Sequence, residues 1–356
     1  MRWRLLVLTV AVLGPLALAG TARATPAVTG YPGSLAVLGD SISVGYDADG
    51  TGPQAEPQYS WVAGTSSQVE SVYSRILAAN PAISGKGFNE AVKGADMADL
   101  EGQATTAVSQ GAQEVLILMG ANDVCTDTQA TMTPVATFRA ELKSALKTLS
   151  RGLPDARIQL LSIPNVYRLW QVLHTNATAR LVWSFAGICQ SMLSNPNSTA
   201  PADTARRAAV LKREKQFNHV LAATCATYVH CRFDGNAVFD YPFAASDADT
   251  LDYFHPSIVG QSILAQTVWN VGFDYTDTTP PESVASTTPV TGGDQVTLTA
   301  TDNAGVAGIE YVIGKGHWVR YTGPVTVLAG HAITWRAVDV NGNIEASQSL
   351  TLDPPA

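Results

Sequence analysis

The feature that most constrains the fold of this chain is an alternation of short apolar runs with segments of helical periodicity. The apolar runs lie at 34–40, 114–120 and 157–164, and amphipathic segments lie between them at 68–80 and at about 134–149. Near-continuous apolar strands that alternate with helices are typical of a parallel sheet covered on both faces. We therefore predict an α/β fold with a parallel sheet for this part of the chain.

Two further helices and one aromatic-rich stretch complete the pattern. Helical periodicity returns at 202–223 and at about 257–271, and the stretch at 166–193 contains many aromatic and aliphatic side chains. Hydrophobic residues make up 46% of the 356 residues, which is enough for a sizeable core. We expect the α/β domain to span 25–276.

The composition changes after Phe273. Residues 276–293 are rich in Thr, Pro and Ser, as connections between domains commonly are. Strand-like runs follow, separated by turns that contain Gly and Asn, and this part of the chain has no cysteine. We predict a second domain at 279–356, a small antiparallel β-sandwich.

The first 24 residues have the pattern of a secretory signal peptide. Arg2 and Arg4 precede an apolar run of 15 residues, and Ala22-Arg23-Ala24 supplies a small-residue cleavage site. The run is shorter than the roughly 20 residues that a spanning helix needs. We expect cleavage after residue 24, a secreted product and no membrane span.

The charge balance excludes one broad class of function. Lys and Arg number 22 against 30 Asp and Glu, for a formal net charge of -8. Proteins that bind nucleic acid neutralise phosphates with basic residues, and this chain has no general excess of them. We expect no nucleic-acid partner.

The chain has four cysteines, Cys125, Cys189, Cys225 and Cys231. In an exported protein an even number favours disulfides, and three pairings are possible. We favour the pairing in which Cys225 and Cys231 close a short loop and Cys125 forms the second disulfide with Cys189. A metal site that includes the neighbouring His230 is the alternative, but the chain has no C-x-x-C pair, which zinc sites usually show.

Four short polar blocks occur where an open α/β sheet places its active site, at or beyond the carboxyl ends of strands. G-D-S at 39–41 follows the first strand, and G-A-N-D at 120–123 follows the second. N-E-A-V-K-G at 89–94 offers a turn glycine that can present its main-chain N–H. D-Y-F-H at 252–255 puts a carboxylate three residues before an imidazole, close enough to orient the ring.

These blocks, in this order, resemble those of the SGNH hydrolases, also called the GDSL lipase/esterase family. The resemblance covers roughly 35–266, and Ile42 replaces the leucine that is usual after G-D-S. It implies a flavodoxin-like three-layer α/β/α fold. It also implies that Ser41 is the nucleophile, that His255 is the general base and that Asp252 orients and polarises His255.

The resemblance further implies an oxyanion hole made of the main-chain N–H groups of Ser41 and Gly94 and the side-chain amide of Asn122. The chemistry agrees, because a serine hydroxyl needs a base to become nucleophilic and a tetrahedral intermediate needs hydrogen-bond donors for its charge. We interpret Asp40 as a turn carboxylate bound to neighbouring amides. No metal or organic cofactor is expected, and an α/β-hydrolase is disfavoured because G-x-S-x-G does not occur.

We therefore predict a secreted serine esterase or lipase that hydrolyses small-molecule or lipid acyl esters through an acyl-enzyme. The cysteines and the aromatic segment at 166–193 resemble the secreted bacterial lipase/esterase branch of the family. That segment either lines an acyl groove near Ser41 or packs as a helical pair on the core. Two alternatives remain: a carbohydrate O-acetylesterase, which shares the four blocks, and a non-catalytic surface-adhesion protein.

The C-terminal domain is similar in sequence to bacterial Ig-like modules that are appended to exported enzymes. Trp318, Tyr321 and Trp335 offer a platform for polysaccharide or another surface, although aromatic residues in strands are more often part of a core. We expect ester hydrolysis to be independent of this domain.

Overall fold

The computed structural model describes residues 30–353, and the predicted signal peptide at 1–24 lies outside them. A five-stranded sheet with the order β2-β1-β3-β4-β5 forms the centre of the first domain, and all neighbouring strands are parallel. The strands are β1 (Leu35–Gly39), β2 (Gly87–Asn89), β3 (Glu114–Leu118), β4 (Arg157–Leu160) and β5 (Cys231–Phe233). The strand order reverses at β1, which opens a crevice at the carboxyl ends of β1 and β3.

Helices cover both faces of this sheet. They are α1 (Ser41–Val44), α2 (Val72–Ala79), α3 (Leu100–Gln110), α4 (Ala121–Val124), α5 (Val135–Gly152), α6 (Val166–Leu173), α7 (Ala177–Phe185), α8 (Gln190–Leu193), α9 (Pro201–Cys225), α10 (Ala237–Asp240) and α11 (Ile258–Val271). Helices α3, α5 and α9 pack side by side in one layer, and α2 and α11 pack together in the other. The predicted α/β architecture is confirmed. Among residues 30–353 no helix is long and apolar enough to cross a bilayer.

Two elements of the first domain are shorter than predicted. The helix predicted at 68–80 begins only at Val72, because Glu70 has a φ of 51°, in the left-handed region, and Ser71 caps the helix through its side chain. The strand predicted at 157–164 ends at Leu160, where its pairing with β5 ends.

Seven strands follow in two antiparallel sheets, which we call the C-terminal β-sandwich. One sheet has the order β10-β7-β6 and the other β12-β11-β8-β9. The strands are β6 (Glu282–Val290), β7 (Gly293–Thr301), β8 (Val306–Ile313), β9 (Val319–Arg320), β10 (Val325–Leu328), β11 (Ala332–Asp339) and β12 (Gln348–Thr351). Val296 and Val327 from the first sheet and Ile309 and Ile333 from the second meet in one core.

Strand β6 lies inside the predicted second domain but is not among the predicted strand-like runs. Residues 282–290 pair with β7 along their whole length, although they are rich in Ser and Thr. The strand lies at the edge of its sheet and most of it is exposed, so it does not show the strong apolar pattern of an inner strand.

The aromatic residues of the sandwich belong mainly to its core. Trp335 is buried there, and Tyr321 packs against the same core while its hydroxyl accepts a hydrogen bond from the N–H of Leu298. Trp318 is partly exposed and stacks on the guanidinium of Arg336, 4.3 Å from the ring centroid.

The sandwich contacts the amino ends of the parallel strands. The Nε of Arg157, the first residue of β4, donates to the carbonyl of Asn341 (2.8 Å), and the guanidinium of Arg232 in β5 donates to the carbonyl of Val340 (3.0 Å). The crevice at the carboxyl ends is therefore at the opposite edge of the sheet.

Two disulfides are present, and they have the favoured pairing. Cys125 is joined to Cys189, and Cys225 to Cys231. The first links the loop after α4 to the start of α8, and the second links the end of α9 to β5. His230 does not share a metal site with Cys231, since the Cys231 sulfur is in a disulfide and the His230 ring lies 3.2 Å from Glu310.

Candidate active site

Ser41 lies at the start of α1, directly after β1. The turn requires glycine at position 39, because a Cβ there would lie 2.5 Å from the carbonyl oxygen of Leu118. Asp40 caps the helix, and its Oδ1 accepts a hydrogen bond from the N–H of Ile42 (2.9 Å). Burial raises the pKa of Asp40 to about 6, and this hydrogen bond opposes the shift. Asp40 is thus the turn carboxylate that its sequence position indicates.

His255 connects Ser41 to Asp252. Its Nε2 lies 2.8 Å from the Oγ of Ser41, and its Nδ1 lies 2.5 Å from Oδ2 of Asp252. The other carboxylate oxygen of Asp252 accepts hydrogen bonds from the N–H groups of Phe254 (2.7 Å) and His255 (3.0 Å). Because a carboxylate only accepts, Nδ1 carries the proton and Nε2 is left to accept one from the serine.

Asp252 remains ionised in this environment. Burial by itself would raise the pKa of Asp252, but the hydrogen bond and the charge of His255 together lower it well below its usual range. An ionised carboxylate at this place stabilises the imidazolium that forms when His255 takes a proton.

Asp249 holds the loop that carries Asp252 and His255, and sequence reasoning missed it. Its Oδ1 accepts from the N–H groups of Leu251 (2.6 Å) and Asp252 (2.9 Å), and its own N–H donates to the carbonyl of His255 (2.9 Å). Burial and then the neighbouring Asp252 raise the pKa of Asp249 to about 8. The signal was present in the sequence, since Asp249 precedes Asp252 by the same three residues that separate Asp252 from His255.

Asp47 is a second acid that sequence reasoning missed. One of its carboxylate oxygens, one of Asp252 and a ring nitrogen of His255 lie within 4.8 Å of one another. Burial raises the pKa of Asp47, and the charge of Asp252 adds to the shift. The preceding residue, Tyr46, places its ring 5.0 Å from the His255 ring, and Lys93 extends its Nζ over the Tyr46 ring. Nothing in the local sequence marks these residues, because they meet only through the fold.

Of the predicted oxyanion-hole residues, Ser41 begins α1, Asn122 lies in α4 and Gly94 lies on the loop after β2. The N–H of Val92 donates to the carbonyl of Gly39 (3.1 Å), and one amide N–H of Asn122 donates to the carbonyl of Ala95 (2.8 Å). These contacts tie the loop of Gly94 to the ends of β1 and β3. Within residues 30–353, the main-chain N–H groups of Ser41 and Gly94 donate to no protein acceptor.

An apolar cavity is bounded by residues that adjoin the site residues in sequence. It is lined mainly by Ile42, Ala121, Val166, Leu169, Val172 and Phe254. Ile42, Ala121 and Phe254 are the sequence neighbours of Ser41, Asn122 and His255, but these three site residues do not themselves line the cavity. Helix α6 forms part of its wall, whereas α7 does not line it.

The aromatic segment at 166–193 is expected either to line an acyl groove or to pack on the core, and its two longer helices divide these roles. Helix α6 lines the cavity, while Trp183 of α7 is buried and its Nε1 donates to the carbonyl of Tyr253 (3.2 Å). Leu181 and Phe185 on the outer face of α7 are 70% and 93% exposed, so they belong neither to the cavity nor to the core.

A parallel sheet with a hydrogen-bonded serine, histidine and aspartate at the carboxyl ends of its strands defines the class of serine hydrolases. The sequence model of the GDSL-like lipase/acylhydrolase family matches residues 35–268, so the chain belongs to this family and is an enzyme of it.

Solved structures of lipases and carbohydrate esterases are similar to this chain. An extracellular lipase from Streptomyces rimosus is 19% identical, with a TM-score of 0.41, over 67% of this chain and 98% of the lipase. A family 3 carbohydrate esterase from Clostridium thermocellum is 11% identical, with a TM-score of 0.39, over 67% of this chain and 93% of the esterase. No curated protein matches the sequence significantly.

Proposed function

We propose that the protein is a secreted serine esterase or lipase that hydrolyses acyl esters through an acyl-enzyme on Ser41. The observation that carries this proposal is the continuous chain from Ser41 Oγ to His255 Nε2 (2.8 Å) and from His255 Nδ1 to Asp252 (2.5 Å). Each member of the chain has the partner that its catalytic role requires.

The reaction follows from the positions of the protons. His255 Nε2 takes the hydroxyl proton while Ser41 Oγ bonds to the ester carbonyl carbon, and the carbonyl oxygen becomes negative. When the intermediate collapses, the bond to the leaving alcohol breaks and His255 returns the proton to that oxygen. Water then repeats the sequence on the acyl-enzyme, which releases the acid and regenerates Ser41.

Three donors are available for the negative oxygen. In the described part of the chain the N–H groups of Ser41 and Gly94 have no protein acceptor, and the Asn122 amide has a second N–H beyond the one that it gives to Ala95. Donors held in place before the reaction stabilise the intermediate without reorganisation. We assign the oxyanion hole to these groups.

The cavity supports a hydrocarbon acyl chain on the acid side of the ester, whereas in a carbohydrate O-acetylesterase the acid side is only acetyl and the sugar is the leaving alcohol. The cavity walls are mainly aliphatic and aromatic side chains, and an acyl chain that binds against them gains free energy because its hydrocarbon is removed from water. An acetyl group also fits such a space, so activity confined to acetate esters would favour the carbohydrate O-acetylesterase.

Hydrolysis of p-nitrophenyl esters from acetyl to palmitoyl tests the proposal, with the wild type and Ser41→Ala measured side by side. We expect activity that extends to octanoyl or longer and that falls to background in Ser41→Ala. Ser184→Ala, an exposed serine on α7, is the matched control and should retain full activity. Activity that persists in Ser41→Ala contradicts the serine mechanism, and no activity at any length favours the adhesion protein.

Export and the nature of the sandwich belong to the same proposal. We infer that residues 1–24 direct secretion and are removed, and that the C-terminal β-sandwich is an Ig-like module. The apolar run and cleavage pattern support the first inference, and two antiparallel sheets around one core support the second. The mass of the protein recovered from culture medium tests export: it should begin at Thr25.

A further inference from the structure

Three carboxylates converge where the segment between α11 and β6 meets two turns of the sandwich. Asp277 lies in that segment, Asp302 follows β7 and Asp339 ends β11. One oxygen from each lies within 4.8 Å of the others. We call this group, together with Asn343, the junction cluster. Its members come from distant parts of the chain, so the fold itself brings the negative charges together.

No basic side chain offsets these charges. Within residues 30–353, no Lys or Arg forms an ion pair with Asp277, Asp302 or Asp339. Their partners are neutral amides: Asn341 Nδ2 donates to Asp277 (2.9 Å) and Asn343 Nδ2 donates to Asp339 (2.8 Å). The amide of Asn341 lowers the pKa of Asp277, whereas burial, with a contribution from the charge of Asp302, raises that of Asp339. Like charges at this separation repel each other unless a cation lies between them.

Buried oxygen atoms without partners give an independent indication of a ligand. Asn343 is 0% exposed and contacts the cluster through its Nδ2, which donates to Asp339 and to the main-chain oxygen of Asp277 (3.0 Å). Among residues 30–353, its Oδ1 nevertheless has no hydrogen-bond partner, and neither has the buried Oδ2 of Asp302. Buried polar atoms are nearly always satisfied in folded proteins, so two unpaired acceptors beside three carboxylates indicate an electropositive ligand.

We propose that the junction cluster binds one Ca²⁺ ion. Every candidate ligand is a carboxylate or amide oxygen, which is the donor set of a hard cation. Ca²⁺ binds oxygen at about 2.3–2.6 Å, so ligands on opposite sides of it are about 5 Å apart. The oxygens of Asp277, Asp302 and Asp339 meet this limit. Asn343 Oδ1 and water complete the shell. Mg²⁺ demands a tighter octahedron, and Zn²⁺ favours nitrogen and sulfur ligands.

The ion would hold the junction of the two domains together. Asn341, between Asp339 and Asn343, accepts a hydrogen bond from Arg157 of β4 at its carbonyl and one from the N–H of Asp274 (3.2 Å) at its side chain. A cation on the cluster therefore stabilises the loop through which the sandwich contacts the first domain. The site is at the edge of the sheet opposite to Ser41, and its role is separate from ester hydrolysis.

Calorimetric titration with CaCl₂ tests the proposal on the mature chain after EDTA treatment and dialysis, and thermal unfolding is measured with and without Ca²⁺. We expect one Ca²⁺ per chain and a rise in Tm of several degrees. Asp302→Asn should weaken binding at least tenfold, because it removes one charged ligand while its amide oxygen still accepts from the N–H of Ala304 and Gly305. The exposed Asp353→Asn is the matched control and should bind as the wild type does.

Two results would overturn the proposal. One is a wild type with neither heat of binding nor a Ca²⁺-dependent shift in Tm. The other is Asp302→Asn binding Ca²⁺ with unchanged affinity, which would move the ion elsewhere, for instance to Asp47, Asp252 and His255. Binding there would also inhibit ester hydrolysis, whereas binding at the junction cluster leaves it unchanged. If Asp302→Asn fails to fold, Asp277→Asn replaces it.

Discussion

At the scale of single residues, the site depends on a histidine whose two ring nitrogens have different fixed partners. Asp252 occupies Nδ1 and Ser41 occupies Nε2, so only one tautomer of His255 satisfies both contacts. Burial and hydrogen bonds keep the two aspartates of the loop that carries His255, Asp249 and Asp252, in different protonation states. Asp252 is ionised at neutral pH, and Asp249, with a pKa of about 8, is largely protonated.

Asp252→Asn should lower kcat by about 10²–10⁴. An amide at this place can donate to Nδ1, which favours the tautomer that carries its proton on Nε2 and cannot accept from Ser41. Nδ1 of His255 has no other hydrogen-bond partner among the described residues, so no main-chain carbonyl substitutes for Asp252. Steady-state kinetics on a short-chain ester, with an unchanged Tm as the check on folding, measures the effect; a loss of less than threefold would show that Asp252 is dispensable.

Asn122→Ala should lower kcat by about 10²–10³, the usual cost of removing one oxyanion-hole donor. KM should change little, because the lost hydrogen bond forms mainly in the transition state. Since Asn122 also donates to the carbonyl of Ala95, the folding of the variant is checked by thermal unfolding. Loss of stability with normal kcat would assign Asn122 a structural role instead.

At the scale of helices and strands, the sequence predicts the bounds of an element most accurately where the residues of that element carry a clear local pattern. Helices α5, α9 and α11 lie within about three residues of their predicted bounds, since α5 carries an apolar stripe, Pro201 begins α9 and Ser257 caps α11. Strands β2 and β5 have three residues each and are only half-buried, so no local pattern marks them.

The residues of the active site likewise divide into those that a local sequence pattern identifies and those that it does not. Motif order locates Ser41, Asn122 and His255, because each follows or precedes a recognisable element. Asp47 and the junction cluster cannot be found in this manner, since their neighbours are set by how distant loops meet.

The position of helix α6 leads to a prediction about the length of the acyl chain that the enzyme accepts. Leu169→Trp should fill the cavity and lower kcat/KM for octanoyl relative to acetyl esters by about tenfold or more, because the cavity accepts the longer chain. Leu181→Trp on α7 is the control, since that side chain is 70% exposed and outside the cavity. Equal effects of the two substitutions, measured across the same ester series, would exclude the cavity as the acyl site.

At the scale of the whole molecule, several buried carboxyl groups make stability depend on pH. Burial raises the pKa of Asp40 to about 6 and those of Glu114 and Asp123 to about 7. Between about pH 4 and 7 the folded protein keeps these protons while the unfolded chain loses them, so their effect is to lower stability as pH rises. Asp252 acts in the opposite direction, because its stabilising charge is lost only in acid below about pH 4.

We therefore expect the free energy of unfolding to decrease from pH 5 to pH 8, as measured by urea denaturation at constant ionic strength. Glu114→Gln should reduce this decrease, since the amide cannot ionise and still accepts from the Tyr275 hydroxyl, which lies 2.7 Å from Glu114 Oε1. Glu282→Gln, an exposed position on β6, should leave the pH dependence as it is in the wild type. A stability that rises over this interval would contradict the assigned protonation states.

The position of the sandwich at the amino ends of the strands determines how this enzyme would behave when attached to a support. The strands β1 and β3 separate that edge from Ser41 by five residues each, or roughly 16 Å of sheet. A polymer, cell wall or resin that holds the protein by its sandwich would therefore leave the entrance pointing toward the bulk solution. Immobilisation through this end should preserve turnover, whereas immobilisation through the opposite end would block access to the serine.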